Sequence, residues 1–195
     1  MILLNKAYWN KRYANNKIGW DIGSISTPLK EYFDQLTDRS LKILIPGAGN
    51  AYEAEYLMSL GFSNVHLLDI SDGAITSFSN RVVGFPKSQL HNEDFFEHSN
   101  TYDLIIEQTF FCAISRALRR SYVDKCYGLL KGDGKLVGLL WNHEFDMEEP
   151  PYGGSKSEYR SLFQPPFNIE IMEEAYNSIK PRAGRELFVK LTKHD

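Results

Sequence analysis

Residues 41–57 read Leu-Lys-Ile-Leu-Ile-Pro-Gly-Ala-Gly-Asn-Ala-Tyr-Glu-Ala-Glu-Tyr-Leu, and no other stretch restricts the fold as strongly. Residues 41–45 are apolar except for Lys42, a run that suits a buried parallel strand. Pro46 has no N–H for a ladder and should stop it. Gly47 and Gly49 permit a tight turn and close backbone approach to a ligand. Asn50 with Glu53 three residues on has the form of a capping box. Strand, glycine turn and helix start together make the architecture that cradles a nucleotide.

The spacing narrows the ligand. A dinucleotide loop wants a third glycine, for close packing of helix on strand, where this chain has Tyr52. S-adenosylmethionine, a nucleoside without a pyrophosphate, fits Gly-x-Gly-x-x-Tyr better. A connecting turn with incidental glycines is the plain alternative. A second strand, residues 64–68, runs into Asp69 and then Ile70, Ser71 and Asp72. Asp69 follows Gly49 by 69 − 49 = 20 residues, where an acid accepts hydrogen bonds from ribose hydroxyls. Its alternative role is a helix cap, for which Ser71 and Asp72 are better placed.

A chain of 195 residues can bury the core of one domain, and 43% apolar content marks it as globular. The net charge of −3 gives no electrostatic case for nucleic acid. Arg116, Arg119, Arg120 and Lys125 read first as a solvated helix face, with a phosphate patch as the lesser alternative. Cys112 and Cys126 are the only cysteines, and no Cys/His zinc spacing is present, so no metal is expected. No secretory or membrane-length segment is visible, and a cytoplasmic location is expected.

Taken in order, residues 5–16 suggest an amphipathic helix with Trp9 and Tyr13 on one face. Trp20 follows. These aromatics pack on the core edge or form a lid over a ligand, and aromatic faces attract cations such as a sulfonium. Thr27-Pro28 starts a second helix, and another spans residues 72–83. A short third strand at residues 89–91 leads to Asp94 and Phe95. An acid beside an aromatic at a strand end suits an adenine, and a plain turn is the competing reading. Residues 102–106 form strand four, with Gln108, Phe110 and Phe111 at its mouth. Ser115 should cap a helix through residue 130, with Leu118, Tyr122, Cys126, Leu129 and Leu130 inward. Residues 131–134 form a turn, and residues 135–141 form strand five. The loop 142–154 is longer than most connections, which points to function. Ser155 and Glu158 form a capping box, and residues 168–173 and 186–192 close the sheet as an antiparallel hairpin. That hairpin and Tyr52 argue against a nicotinamide enzyme.

Together the segments Tyr-Trp-Asn-Lys-Arg-Tyr (residues 8–13), Gly-Trp-Asp (19–21), Ile-Pro-Gly-Ala-Gly (45–49), Phe-Phe-Cys-Ala-Ile (110–114) and Leu-Lys-Gly-Asp-Gly (130–134) form a series. Pro-Pro-Tyr (150–152) and Arg-Ala-Gly-Arg-Glu (182–186) extend it. In order and spacing the series resembles the thiopurine S-methyltransferase family, in particular its thiol/halide methyltransferase branch. The resemblance implies an α/β, Rossmann-like class I methyltransferase fold: a three-layer sandwich with a mostly parallel seven-stranded sheet and the C-terminal antiparallel hairpin. It implies one domain over residues 1–195, with residues 1–38 as a lid.

The same resemblance implies that Trp9, Tyr13, Trp20, Gly47, Gly49, Asp69, Ile70, Asp94, Phe95 and Gln108 bind S-adenosylmethionine. From their positions in the chain alone, Phe111, Trp141 and Tyr152, with Trp9, are expected to line an aromatic acceptor pocket. Gln108 and Trp141 stand where that branch can carry tyrosine. The expected activity is in-line methyl transfer to a small thiol, sulfide or halide, by a monomer or weak dimer. Methyl transfer to another small-molecule class, or a binding module without catalysis, is the alternative.

Overall fold

The computed structural model describes residues 3–194. Seven strands form one sheet in the order β3-β2-β1-β4-β5-β7-β6. The chain divides into two compact units, one ending at His98 and the other beginning at Ser99.

In the first unit, α1 (Lys6–Ala14) and α2 (Thr27–Asp34) precede β1 (Ile43–Pro46), α3 (Tyr52–Ser59), β2 (Val65–Leu68), α4 (Asp72–Arg81) and β3 (Leu90–His91). Every residue of β1 and β2 is buried, as apolar runs interrupted only by His66 of β2 favour. The strands pair in parallel, Ile43 opposite Val65 and Leu67 opposite Leu90. Pro46 ends β1 as its last residue, opposite Leu68. A strand's last residue can lack a ladder donor without loss. Helix α2 begins one residue earlier than Thr27-Pro28 suggested for its cap: Ser26 holds the cap position and makes no side-chain cap bond.

The expected capping box at α3 is absent. Ala51 occupies the cap position in the left-handed region, with φ 50°. Asn50 is drawn elsewhere, donating to Asp21 and accepting from Ser77 Oγ at 3.1 Å. Helix α4 carries the serine cap, Ser71 Oγ accepting from Ala74 N–H at 3.3 Å.

The second unit contains β4 (Tyr102–Gln108), α5 (Arg119–Leu129), β5 (Leu130–Trp141), α6 (Lys156–Phe163), β6 (Phe167–Glu174) and β7 (Glu186–Lys193). Strands β4 and β5 are parallel, whereas β5–β7 and β6–β7 are antiparallel, the predicted terminal hairpin. The turn expected at residues 131–134 is an irregularity inside β5, where the pairing jumps from Tyr102–Leu130 to Leu104–Lys135. Gly138 lies opposite Glu107, and a Cβ there would stand 2.2 Å from the Glu107 carbonyl oxygen, so only glycine fits. Ser155 caps α6 by accepting from Glu158 N–H, as read from the sequence. Ser115 instead precedes a short 3-10 turn, Arg116–Leu118, and makes no cap bond. Leu118 is exposed rather than inward, while Tyr122, Cys126 and Leu129 are buried.

Candidate active site

In the first unit the glycine turn, the acid and the amino-terminal aromatics converge. Gly47 and Gly49 have φ of 58° and 57°, a conformation that glycine adopts without a Cβ penalty. Asp69, at the carboxyl end of β2, is buried. Its Oδ2 accepts from Gly49 N–H at 2.9 Å and its Oδ1 from Ser71 N–H at 2.8 Å. One side chain thus ties the glycine turn to the start of α4. Burial pushes the Asp69 pKa up, and the two amides oppose that shift. Each oxygen spends one acceptor site, so the carboxylate keeps capacity for ribose hydroxyls. Ile70 is half-buried beside it.

Trp9, Tyr13 and Trp20 form one cluster. The Trp20 ring lies edge-on to both others, with centroids 5.7 Å from Trp9 and 5.9 Å from Tyr13. The Tyr13 hydroxyl would lie 3.0 Å from a Cβ on Gly49, so the aromatic cluster covers the glycine turn. Burial raises the Tyr13 pKa, reinforced by the nearby Asp69 charge, and its side chain is hydrogen-bonded to Trp20.

Asn10, which the sequence reading did not single out, holds this cover in place. Its Oδ1 accepts from Ser71 Oγ at 2.8 Å and its Nδ2 donates to Asp72 at 3.1 Å. Lys6 pairs with the same Asp72 at 2.6 Å. The one available signal was an amide three residues before Tyr13, on the same face of α1.

Asp94 and Phe95 are placed differently from one another. Asp94 is exposed and uses Oδ1 to accept from Phe96 N–H at 2.9 Å, an Asx turn that leaves Oδ2 for an incoming donor. Phe95 is 2% exposed, with its ring against Phe96, so its face is part of the core.

In the second unit Gln108 ends β4, half-buried opposite Leu139. Trp141, Tyr152 and Cys112 come together. The indole of Trp141 hydrogen-bonds Cys112, and Tyr152 N–H donates to Cys112 O at 2.8 Å. The Arg182 and Arg185 guanidiniums lie 5.4 and 5.9 Å from the Trp141 ring, and Phe145 stands edge-on at 5.1 Å. Phe111 does not line this space. Its side chain is 1% exposed and packed by Tyr122, Tyr159 and Phe163 at 5.1, 5.6 and 5.9 Å, a core position.

Two buried ionisable side chains hold this region. Arg119, read from sequence as solvated, is 3% exposed. It donates to Glu158 at 2.6 Å, to Tyr152 O at 3.1 Å and to Gly153 O at 2.8 Å, fixing the long loop. Glu107 is 1% exposed and accepts from Phe110 N–H, Phe111 N–H and the Tyr122 hydroxyl at 2.8, 2.9 and 2.6 Å. Burial raises its pKa to about 7 against those bonds. Burial also pushes the Cys112 thiol up to about 12, which removes it as a nucleophile at neutral pH.

The sheet order, the parallel core and the antiparallel end define a class I methyltransferase fold. A solved structure of similar shape is the Burkholderia thailandensis 1,6-didemethyltoxoflavin-N1-methyltransferase with bound 1,6-didemethyltoxoflavin and S-adenosylhomocysteine. Its TM-score is 0.76, with 15% identity, over 97% of this chain and 87% of that one. The sequence signature described as Thiopurine S-methyltransferase (TPMT) matches residues 4–193.

Among relatives, thiocyanate methyltransferase 1 of Arabidopsis thaliana is 30% identical over 185 residues, covering 91% of this chain and 81% of that protein. Thiopurine S-methyltransferase of Photobacterium profundum is 24% identical, covering 82% and 83%. The chain belongs to the thiopurine S-methyltransferase family. It is a methyltransferase with S-adenosylmethionine as methyl donor. Among the described residues no helix is long and apolar enough to cross a membrane.

Proposed function

We propose that the acceptor is a small, soft, anionic nucleophile: a thiolate, bisulfide, thiocyanate or halide. The observation that carries this reading is the surroundings of Trp141, an indole with the Arg185 guanidinium near its ring, beside Arg182, which is itself paired with the buried Glu186 at 3.1 Å. A polarisable anion gains from both the cationic field and the apolar wall. The 30% identity to a thiocyanate methyltransferase supports the same acceptor class.

S-adenosylmethionine supplies a methyl group already activated on a sulfonium. What remains for the protein is alignment and exclusion of water. Asp69 holds the ribose by the acceptor capacity that Gly49 and Ser71 leave it. Trp9, Tyr13 and Trp20 roof the glycine turn and keep water from the sulfonium end. Asp94 Oδ2 receives the exocyclic amine of the adenine. Trp141 and Tyr152 wall the acceptor, and Arg119 keeps the Tyr152 loop in place. Attack by an anion on a sulfonium consumes charge, so a dry aromatic wall favours the transition state over the separated ions. A free thiol of pKa near 8.5 is a few per cent thiolate at neutral pH, so no general base is required.

The test offers sulfide, thiocyanate, iodide and small thiols with S-adenosylmethionine and follows the volatile methylated product by gas chromatography. Turnover with at least one anion is expected. In Arg185→Gln the KM for that anion should rise several-fold, while the KM for S-adenosylmethionine stays unchanged. Absence of product across the panel would leave another acceptor class, or binding without catalysis.

A further inference from the structure

The sequence scatters its histidines, yet the first unit gathers three of them where β2 and β3 pair. His66 lies on β2, His91 ends β3, and His98 closes the turn that follows. The His66 and His91 rings are within 10° of coplanar, with His66 Nδ1 2.9 Å from His91 Nε2. On its other side His66 Nε2 lies 3.0 Å from Asn64 Oδ1.

An amide oxygen only accepts, so His66 Nε2 carries the proton. His66 Nδ1 then holds a lone pair and accepts from His91 Nε2–H, which leaves the lone pair of His91 on Nδ1. This relay from an imidazole N–H to a neighbouring acceptor is the arrangement that orients histidines on metal ions.

His98 is 3% exposed, its ring 4.8 Å from that of His91, and its Nδ1 is 2.5 Å from Glu93 Oε1. One ligand atom from each of His91, Glu93 and His98 lies within 4.8 Å of the other two. A tetrahedral ion with bonds of about 2.0–2.2 Å needs its ligand atoms roughly 3.3–3.6 Å apart. Glu93, exposed and hydrogen-bonded to His98 at 2.5 Å, would give up that bond and turn by a rotamer change to reach the spacing an ion requires.

We propose that His91, Glu93 and His98 bind one divalent transition-metal ion of the zinc type, with solvent in the fourth position. Two imidazoles and one carboxylate are a donor set that suits zinc, cobalt or nickel and is poor for magnesium or calcium. The absent cysteine spacing in the sequence excludes only the common thiolate zinc motifs, not this one. The site adjoins the methyl-donor residues through the backbone. Asp69 N–H donates to His91 O at 3.0 Å, and Asn92 Nδ2 donates to Asp69 O at 3.0 Å. An ion there would fasten the two-residue strand β3 and, through it, the main chain of Asp69.

The test uses untagged full-length protein stripped with a chelator. Zinc chloride is titrated against a chromophoric chelator and by calorimetry, and cobalt chloride is followed by visible absorption. The expected result is one saturable equivalent at micromolar or tighter Kd, a tetrahedral cobalt spectrum and a higher Tm with zinc. Affinity should fall at least tenfold in Glu93→Gln, an exposed change that leaves the fold intact, and again in His91→Gln. Failure of the wild-type protein to take up one equivalent overturns the proposal, whatever the variants do. Undiminished binding by a folded Glu93→Gln/His91→Gln double variant overturns it as well.

Discussion

The two units hold their functional side chains by opposite means. In the first, the central acid Asp69 is steadied by main-chain amides of Gly49 and Ser71, and the roof above the glycine turn is hooked on by Asn10. In the second, the loops near Trp141 and Tyr152 are held by ionisable side chains sunk in the core, Arg119 and Glu107. Amides of a tight turn serve any chain that makes the turn, so the donor side is a property of the fold. Buried charges are costly unless fully paired, so each must be matched by particular partners. The second unit is therefore where particular side chains, rather than main-chain groups, carry the support.

If that contrast is right, the largest effect comes from Arg119→Ala. It strips two carbonyls and a carboxylate of their donor and should cost about 3 kcal/mol by urea unfolding. Catalysis should fall even under conditions where the variant is fully folded. A stability loss below about 1 kcal/mol would break the contrast, since values that small are typical of surface pairs.

Glu107 sharpens it through pH. Burial lifts its folded-state pKa from the ordinary 4.5 to about 7, so between those values the folded protein holds a proton the unfolded chain has lost. Its contribution to stability is fully present below about pH 4.5 and is lost as pH rises through about 7. The local slope reaches at most about 1.4 kcal/mol per pH unit. Unfolding free energies of Glu107→Gln should lack this slope, and an unchanged pH profile would place the titration elsewhere.

A loss of stability no larger than that of Arg119→Ala belongs to Asp69→Ala. Residues at strand ends are often dispensable for folding, but here the change orphans two amides, with a cost of about 1–3 kcal/mol. Calorimetry with S-adenosylhomocysteine should show at least a tenfold loss of affinity, about 1.4 kcal/mol or more. Unchanged affinity would remove Asp69 from the ribose role.

What could be read in the sequence follows the same division. The strand–glycine turn–helix unit, the Ser155 cap and the terminal hairpin depend on residues a few positions apart, and each stands where the pattern put it. The Asn50 cap failed because Asp21 and Ser77, far along the chain, compete for the same amide. Arg119 looked solvated because arginines at helical spacing usually are. Its carbonyl partners on Tyr152 and Gly153 belong to a loop with no periodicity to announce it. A phenylalanine just past a strand end suggests a pocket wall, as at Phe111. Its neighbours Tyr159 and Phe163, on α6, draw it into the core. The histidine grouping depends on the parallel pairing of β2 with β3, which no local pattern encodes.

Asn10 has a practical corollary. Its one amide engages the Ser71 hydroxyl and the Asp72 carboxylate, both in the opening turn of α4. Shortening the protein from its front end past that residue would do more than bare a helix. It would release the latch on the turn that Asp69 braces from the other side, and the shortened protein would grip its methyl donor loosely while still folding.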